Sequence, residues 1–269
     1  MKILLYALFS ISALTADIIP VDSLSVFEKD LLAKDGNALI LFDVDCTLVV
    51  PDDAALRHCQ IPLMENFLKK FSPLQGAIQW SRIWMQSATS LVDDRWPLCI
   101  TQLQSSGIPT LAFTAAPGGN VGLISSLADS RIEELLKFGV DFSKTLPHVE
   151  FLEFPKDSDK QHPPLFKSGI LFSSTHPKGD ILRQFLDAIR WYPSHVVLID
   201  DRIESLESVE RALNAMRIPF TGYHYLAVEK LPINLDHEVA EYQFRHLEEQ
   251  EIWLSDADAR DAMKQAVHK

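Results

Sequence analysis

No dense run of lysine or arginine occurs in this chain of 269 residues, whose net charge is -12. Nonspecific nucleic-acid binding, which depends on basic side chains neutralising phosphates, is therefore not expected. Cysteine is scarce as well. Cys46, Cys59 and Cys99 are an odd three, so at least one thiol stays free or pairs between molecules, and the count does not fix the redox compartment. No internal repeat or low-complexity segment is present, which removes solenoid architectures. The apolar fraction of 47% and charged fraction of 23% are ordinary for a globular protein and leave no case for disorder. The length suits one substantial core with an appendage, or two small domains.

Long apolar runs are also missing, with one exception at the start. Lys2 precedes Ile3 to Phe9, which continues through Ile11, Ala13 and Leu14 to the small residues Thr15 and Ala16. The run is too short for a spanning helix. A charged start, a short apolar region and a small-residue exit read as a secretory signal peptide over residues 1–16. Ala13 fits cleavage after Thr15, whereas Leu14 fits cleavage after Ala16 imperfectly. A buried N-terminal helix or strand is the alternative. If the leader is removed, the mature chain, 17–269, works in the periplasm or beyond, with no stable membrane anchor.

What is present is concentrated at the ends of short apolar segments. Ala38 to Phe42 runs directly into Asp43-Val44-Asp45-Cys46-Thr47-Leu48. Alternation along an extended chain would put Asp43 and Asp45 on one side, and ligands of open α/β sheets bind outside the carboxyl ends of strands. A strand ending in a plain polar turn remains the alternative, since Asp is common in turns. Two further segments end in the same way: Thr110 to Phe113 in Thr114, and Val196 to Ile199 in Asp200-Asp201-Arg202-Ile203-Glu204. Between them, Lys178-Gly179 opens a helical pattern of Ile181, Leu182, Phe185, Leu186 and Ile189. Strands alternating with helices indicate a largely parallel sheet covered on both faces.

The ordered set of carboxylates, hydroxyl, ammonium and carboxylates resembles the haloacid dehalogenase-like (HAD) superfamily, most of whose members are magnesium-dependent phosphatases. The resemblance spans Asp43 to Tyr225. A finer likeness is to a little-characterised, secreted bacterial branch with a late Gly-Ile-Leu-Phe strand (Gly169 to Phe172) and a closing Gly-x-x-Tyr element (Gly222 to Tyr225). It lends no substrate. The resemblance implies an α/β, doubly wound, mostly parallel Rossmann-like core. The helical pattern at about 51–94, punctuated by Pro51, Pro62 and Pro73, then reads as a small cap inserted after the first core strand, or else as ordinary core helices. The stretch from Asp141 to Phe166 reads as a loop or small subdomain, and two helical patterns close the chain.

By the same resemblance Asp43 is a nucleophile that becomes a transient aspartyl phosphate, and Asp45 is the acid and base for leaving group and water. Thr114 and Lys178 bind the phosphoryl group. Converging carboxylates imply a divalent cation, Mg²⁺, held by Asp43, Asp200 and the main-chain carbonyl of Asp45. Asp201 and Glu204 would hold coordinated waters or the lysine; Glu204 could equally be a solvated residue in the first turn of its helix. Relatives often carry Arg where Ala116 stands, which puts specificity in question. The expected activity is a phosphomonoesterase acting on a small phosphorylated substrate or phosphopeptide. The alternatives are a silent HAD-fold binding protein and a phosphotransferase. A Cys46 thiolate nucleophile is disfavoured by its acidic neighbours. Oligomeric state is not legible.

Overall fold

The computed structural model describes residues 16–57, 61–158 and 160–267. Cys59 and residues 1–15 of the expected leader lie outside the described residues. In chain order the strands are β1 (Ala16–Val21), β2 (Ala38–Phe42), β3 (Val49–Pro51), β4 (Thr89–Leu91), β5 (Thr110–Thr114), β6 (Phe151–Glu153), β7 (Leu165–Lys167), β8 (Ile170–Phe172), β9 (His195–Asp200) and β10 (Phe220–Tyr225). The helices are α1 (Glu28–Leu32), α2 (Ile61–Leu68), α3 (Pro73–Gln86), α4 (Trp96–Ser105), α5 (Leu127–Lys137), α6 (Lys178–Ile189), α7 (Ile203–Met216), α8 (His237–Gln250) and α9 (Asp256–Val267).

Eight strands form one sheet in the order β1-β10-β9-β2-β5-β8-β7-β6. Neighbours from β1 through β8 in that order run parallel, and the β8-β7-β6 edge is antiparallel. The fold is therefore α/β with a mostly parallel central sheet. Strands buried on both faces need continuous apolar sequence, and every residue of β2 and β5 is buried. Alternation divides their side chains between two cores. Ile40 and Phe42 join Trp96, Leu103 and Leu135 from α4 and α5 on one face. Leu39 and Leu41 join Phe185, Leu186, Val209 and Leu213 from α6 and α7 on the other.

The winding fixes where a ligand can sit. From β2 the chain steps to β5 and then β8 on one side, and β9 and β10 return to the other side of β2. Strand order thus reverses at β2 and β9, the kind of switch point where loops part and leave a crevice at the carboxyl ends.

Between β3 and β4, which pair antiparallel as a two-stranded ribbon, lie α2 and α3. Ser72 caps α3 by accepting from the Gln75 amide, with Pro73 at the first helical position. The apolar sides of α2 and α3 do not pack into the main cores. Phe67 and Ile83 cluster with Phe244, Leu247 and Trp253 from the carboxyl-terminal segment. The tail is thus half of this satellite unit, a partnership that the sequence pattern gave no hint of.

Candidate active site at the strand ends

Past Phe42 the chain leaves the strand and turns tightly. The Val44 carbonyl accepts from the amides of Leu48 and Val49 at 2.9 and 3.0 Å, and Cys46 takes a left-handed φ of 66°. The Trp96 indole N–H donates to the Thr47 carbonyl at 3.0 Å and ties the turn to α4. Because of this turn Asp43 and Asp45 do not share one environment. Asp43 is buried, with its amide donating to the Ile199 carbonyl of β9. Asp45 is exposed over about half of its side chain, at 53%.

Lys178 is the centre of the site. Its buried Nζ donates to Asp43 Oδ1, Asp200 Oδ2 and the Phe113 carbonyl, each at 2.6 Å. All three ammonium hydrogens are used at once, on β5, on β9 and on the residue that follows β2. Gly179 makes that reach possible, since a Cβ there would stand 2.0 Å from the Ser208 carbonyl of α7. The glycine after the lysine lets α6 press against α7 and deliver Lys178 under the sheet ends. Upstream, the Ser173 and Thr175 amides donate to the carbonyls of Thr114 and Ala115, which fixes the loop that leads into α6. His176 is buried in the same loop, its Nε2 accepting from the Asp157 amide at 3.0 Å, so it packs rather than faces the crevice.

Carboxylate oxygens of Asp43, Asp200 and Asp201 lie within 4.8 Å of one another. Two of these carboxylates, Asp43 and Asp200, bind the Lys178 ammonium, and Asp201 stands beside them without an ion pair to it. Burial lifts the Asp43 carboxyl well above the ordinary range, and Lys178 only partly offsets it because Asp200, Asp201 and Asp45 add repulsion. Burial and then Asp200 push Asp201 up to about 7. Burial alone would discharge Lys178, but Asp200 and Asp43 outweigh it and hold the ammonium firmly charged. This donor set fits a hard divalent cation, which takes oxygen ligands and would relieve the excess negative charge. Cys46 does not supply a thiolate, since burial, followed by Asp201, Asp45 and Asp43, drives its pKa upward.

The expected residues divide between two places. Asp43, Lys178, Asp200 and Asp201 converge. The side chain of Asp45 stands beside them and not among the three grouped carboxylates: its Oδ2 accepts from Thr114 Oγ1 at 3.2 Å and its Oδ1 from Arg131 Nη2 at 2.5 Å. Thr114 is fully buried and also accepts from the Ala116 amide. Glu204 does not join the group. It sits in the first turn of α7, its side chain 72% exposed and 3.9 Å from Arg202. That is the solvated, dipole-facing alternative, and the reason is the direction of α7, which carries the residue outward immediately after Asp201.

Arg131 was not singled out by sequence reasoning. It is 1% exposed, binds Glu134 through Nη1 and Asp45 through Nη2, and lies over the Trp84 ring with 4.4 Å from Cζ to centroid. Burial opposes its charge, and Asp45 and Glu134 more than restore it. The signal was available in the pattern. Leu127, Ala128, Arg131 and Leu135 share the buried side of α5, and a charged residue on an apolar stripe needs a partner. Arg82, in contrast, turns to Glu251 at 2.7 Å, away from this place.

No solved structure matches the chain. Among curated proteins, it is 27% identical to an uncharacterised protein of Rickettsia felis over 81% of this chain and 80% of the relative. It is 26% identical to an uncharacterised protein of Rickettsia prowazekii over 91% and 90%. A Chlamydia trachomatis protein named "Putative outer membrane protein" is 24% identical over 87% and 86%. The family model described as "Protein of unknown function (DUF2608)" matches residues 20–260, and the chain belongs to that family.

Proposed function

We propose that this chain is a Mg²⁺-dependent phosphomonoesterase with a HAD-type core, that residues between β3 and β4 form its cap, and that it works outside the cytoplasm. One observation carries the reading. Lys178 binds Asp43 and Asp200 simultaneously, at a strand-order reversal, with Thr114 and Asp45 alongside. Residues from four separate segments have no structural need to crowd three carboxylates around one cation. An anion-transfer site does have that need, once a divalent ion and a phosphoryl group complete its charge balance.

The chemistry follows from positions. Asp43, at the base of the crevice, attacks phosphorus; an O–P bond forms as the ester O–P bond breaks. Asp45, at the rim, gives a proton to the departing alcohol oxygen. It then takes one from water as that water attacks phosphorus, which frees Asp43 and inorganic phosphate. Thr114 donates to a phosphoryl oxygen or to Asp45, and Lys178 balances charge on Asp43 throughout. Asp43 and Asp200, with the Asp45 carbonyl, would hold Mg²⁺, and Asp201 its waters; the ion supplies Lewis-acid neutralisation of the transferring group. Arg131 holds Asp45 by one oxygen and so sets the direction in which its carboxyl can deliver a proton.

Export is supported by the leader-like residues 1–16 and by the outer-membrane name of the chlamydial relative. Among the described residues no helix is long and apolar enough to cross a membrane. The direct test is Mg²⁺-dependent hydrolysis of p-nitrophenyl phosphate. Asp43→Asn should lower turnover by about 10³-fold or more, the scale for removing a covalent nucleophile. Unchanged hydrolysis in that variant overturns the reading, and transfer to added glycerol in place of water would make the enzyme a phosphotransferase.

A further inference from the structure

Beside Asp45 a cavity of about 210 Å³ opens between α3 and the core. Its walls include Leu56, Met64, Trp80, Ile83 and Trp84 from the segment between β3 and β4, and Arg131 and Glu134 from α5. The two indoles stack with centroids 5.2 Å apart and an interplanar angle of 25°. Trp84 is also held by its N–H to Ser130 Oγ at 2.9 Å and by Arg131 over its ring. These are therefore fixed aromatic surfaces, left half-buried at the edge of a void.

Apart from the buried Arg131 Nε, which has no hydrogen-bond partner among the described residues, the polar groups at the end of the cavity nearest Asp45 are committed to one another. Glu134 accepts from Thr89 through Oε1 and from Arg131 through Oε2, and the other Arg131 terminal nitrogen serves Asp45. A hydroxyl-rich group entering here would shed water and find those partners taken. A flat apolar group would bury its surface against tryptophan, isoleucine and methionine without that loss. The volume is below the roughly 300–1,000 Å³ of pockets for drug-sized ligands, which limits the guest to one or two rings.

We propose that the cavity binds the alcohol part of the substrate, and that the substrate class is a small phosphomonoester whose alcohol or phenol carries an aromatic ring. The inference rests on the phosphatase reading in one respect: Asp45 protonates the leaving oxygen, so whatever is bonded to that oxygen extends past Asp45 into this space.

Aryl phosphates are intrinsically reactive, so the test compares two alkyl esters of similar leaving-group strength, benzyl phosphate and glycerol 1-phosphate, with Mg²⁺ present. The expected kcat/KM favours benzyl phosphate by about tenfold or more, in line with what a hydrophobic pocket discriminates. Trp80→Ala should collapse that ratio. A binding arm separates the two hypotheses: benzylphosphonate, which resists hydrolysis, against 2,3-dihydroxypropylphosphonate, by calorimetry on the same Mg²⁺-loaded protein and on the variant. If both esters turn over equally, or the glycerol ester is preferred, the cavity assignment falls and the phosphatase stands. If neither ester turns over but benzylphosphonate binds more tightly in a Trp80-dependent way, the cavity is a ring-binding site, and the phosphatase falls together with the assignment of that ring to a leaving group. Absence of both turnover and ring-dependent binding overturns the inference.

Discussion

Lys178 illustrates how much a single side chain can be required to do. Its ammonium is almost fully desolvated and is the only cation within hydrogen-bond reach of Asp43 and Asp200 among the described residues. Removing one member of a buried ionic group leaves the others uncompensated, at about 3–5 kcal/mol. Lys178→Met should therefore lower the unfolding free energy by that amount at neutral pH, and added Mg²⁺ should recover part of it. Urea titrations with and without the ion measure both effects. A loss below about 1 kcal/mol would mean that the carboxylates are already protonated or solvated, and that the lysine is not their counter-charge. At this scale the sequence was legible wherever a polar residue ended an apolar run: Asp43, Thr114 and Asp200 are all where alternation and strand length put them. The pattern of α5 could flag Arg131 as a buried charge but not name its partners, because Asp45 and Trp84 are 86 and 47 positions away in the numbering. Asp45 was read as the twin of Asp43 because alternation was carried one residue too far, past the point where Val44 begins its turn.

Among the elements, the helices between β3 and β4 are held by the tail as much as by the core. The Trp253 indole N–H donates to Asp53 Oδ2 at 2.8 Å, and Asp53 Oδ1 accepts from the Asp256 amide at 2.9 Å. Asp256 returns the contact by accepting from the Ala54 amide, and Gln86 accepts from the Trp253 amide. Trp253 is 4% exposed and packs edge-on against Phe244 at 5.3 Å. Trp253→Ala should cost this unit about 3–5 kcal/mol, the usual range for a buried tryptophan. Hydrogen exchange should accelerate in α2, α3 and α8 while β2 and β9 stay protected. Uniform acceleration across the sheet would show instead that the tail, the helices between β3 and β4 and the sheet unfold as one. Element identity was readable for β2, β5, β9, α6 and α7, where apolar periodicity is strong. β1 was not, because Pro20 and Asp17 argue against a strand. An edge position tolerates both, since one side of β1 makes no ladder. β6 and β7 fell in or at the edge of a stretch read as a loop or small subdomain: each is only three residues long, and β6 is a largely exposed edge strand. Gly169 belongs to the turn that joins β7 to β8, where it and Ser168 both take positive φ, of 84° and 48°.

For the whole molecule, the excess of acid over base is not spread evenly, and the strand ends concentrate it where folding makes it costly. Asp43 and Asp201 are raised above their ordinary value of 3.8, so the folded chain retains protons that the unfolded chain has released. Their contribution is complete below that value and is lost as pH rises through about 7 for Asp201. Asp53, raised mainly by burial, acts in the same direction. His162 and His195, lowered from 6.5 by burial, act oppositely, losing stability as pH falls through that range. His195 begins β9, at the far end from Asp200, so it is remote from any ion held there. Magnesium separates the two contributions. A cation competes with protons for Asp43, Asp200 and Asp201, so its stabilising effect should be small near about pH 5 and grow toward about pH 8. The observable is the difference in Tm between Mg²⁺-loaded and chelator-treated protein across that interval. A difference that stays flat, or shrinks with pH, would mean that the ion binds elsewhere. The three carboxylates would then be settled by Lys178 and retained protons alone, and a site arranged that way would lack the deprotonated Asp43 that attack on phosphorus requires.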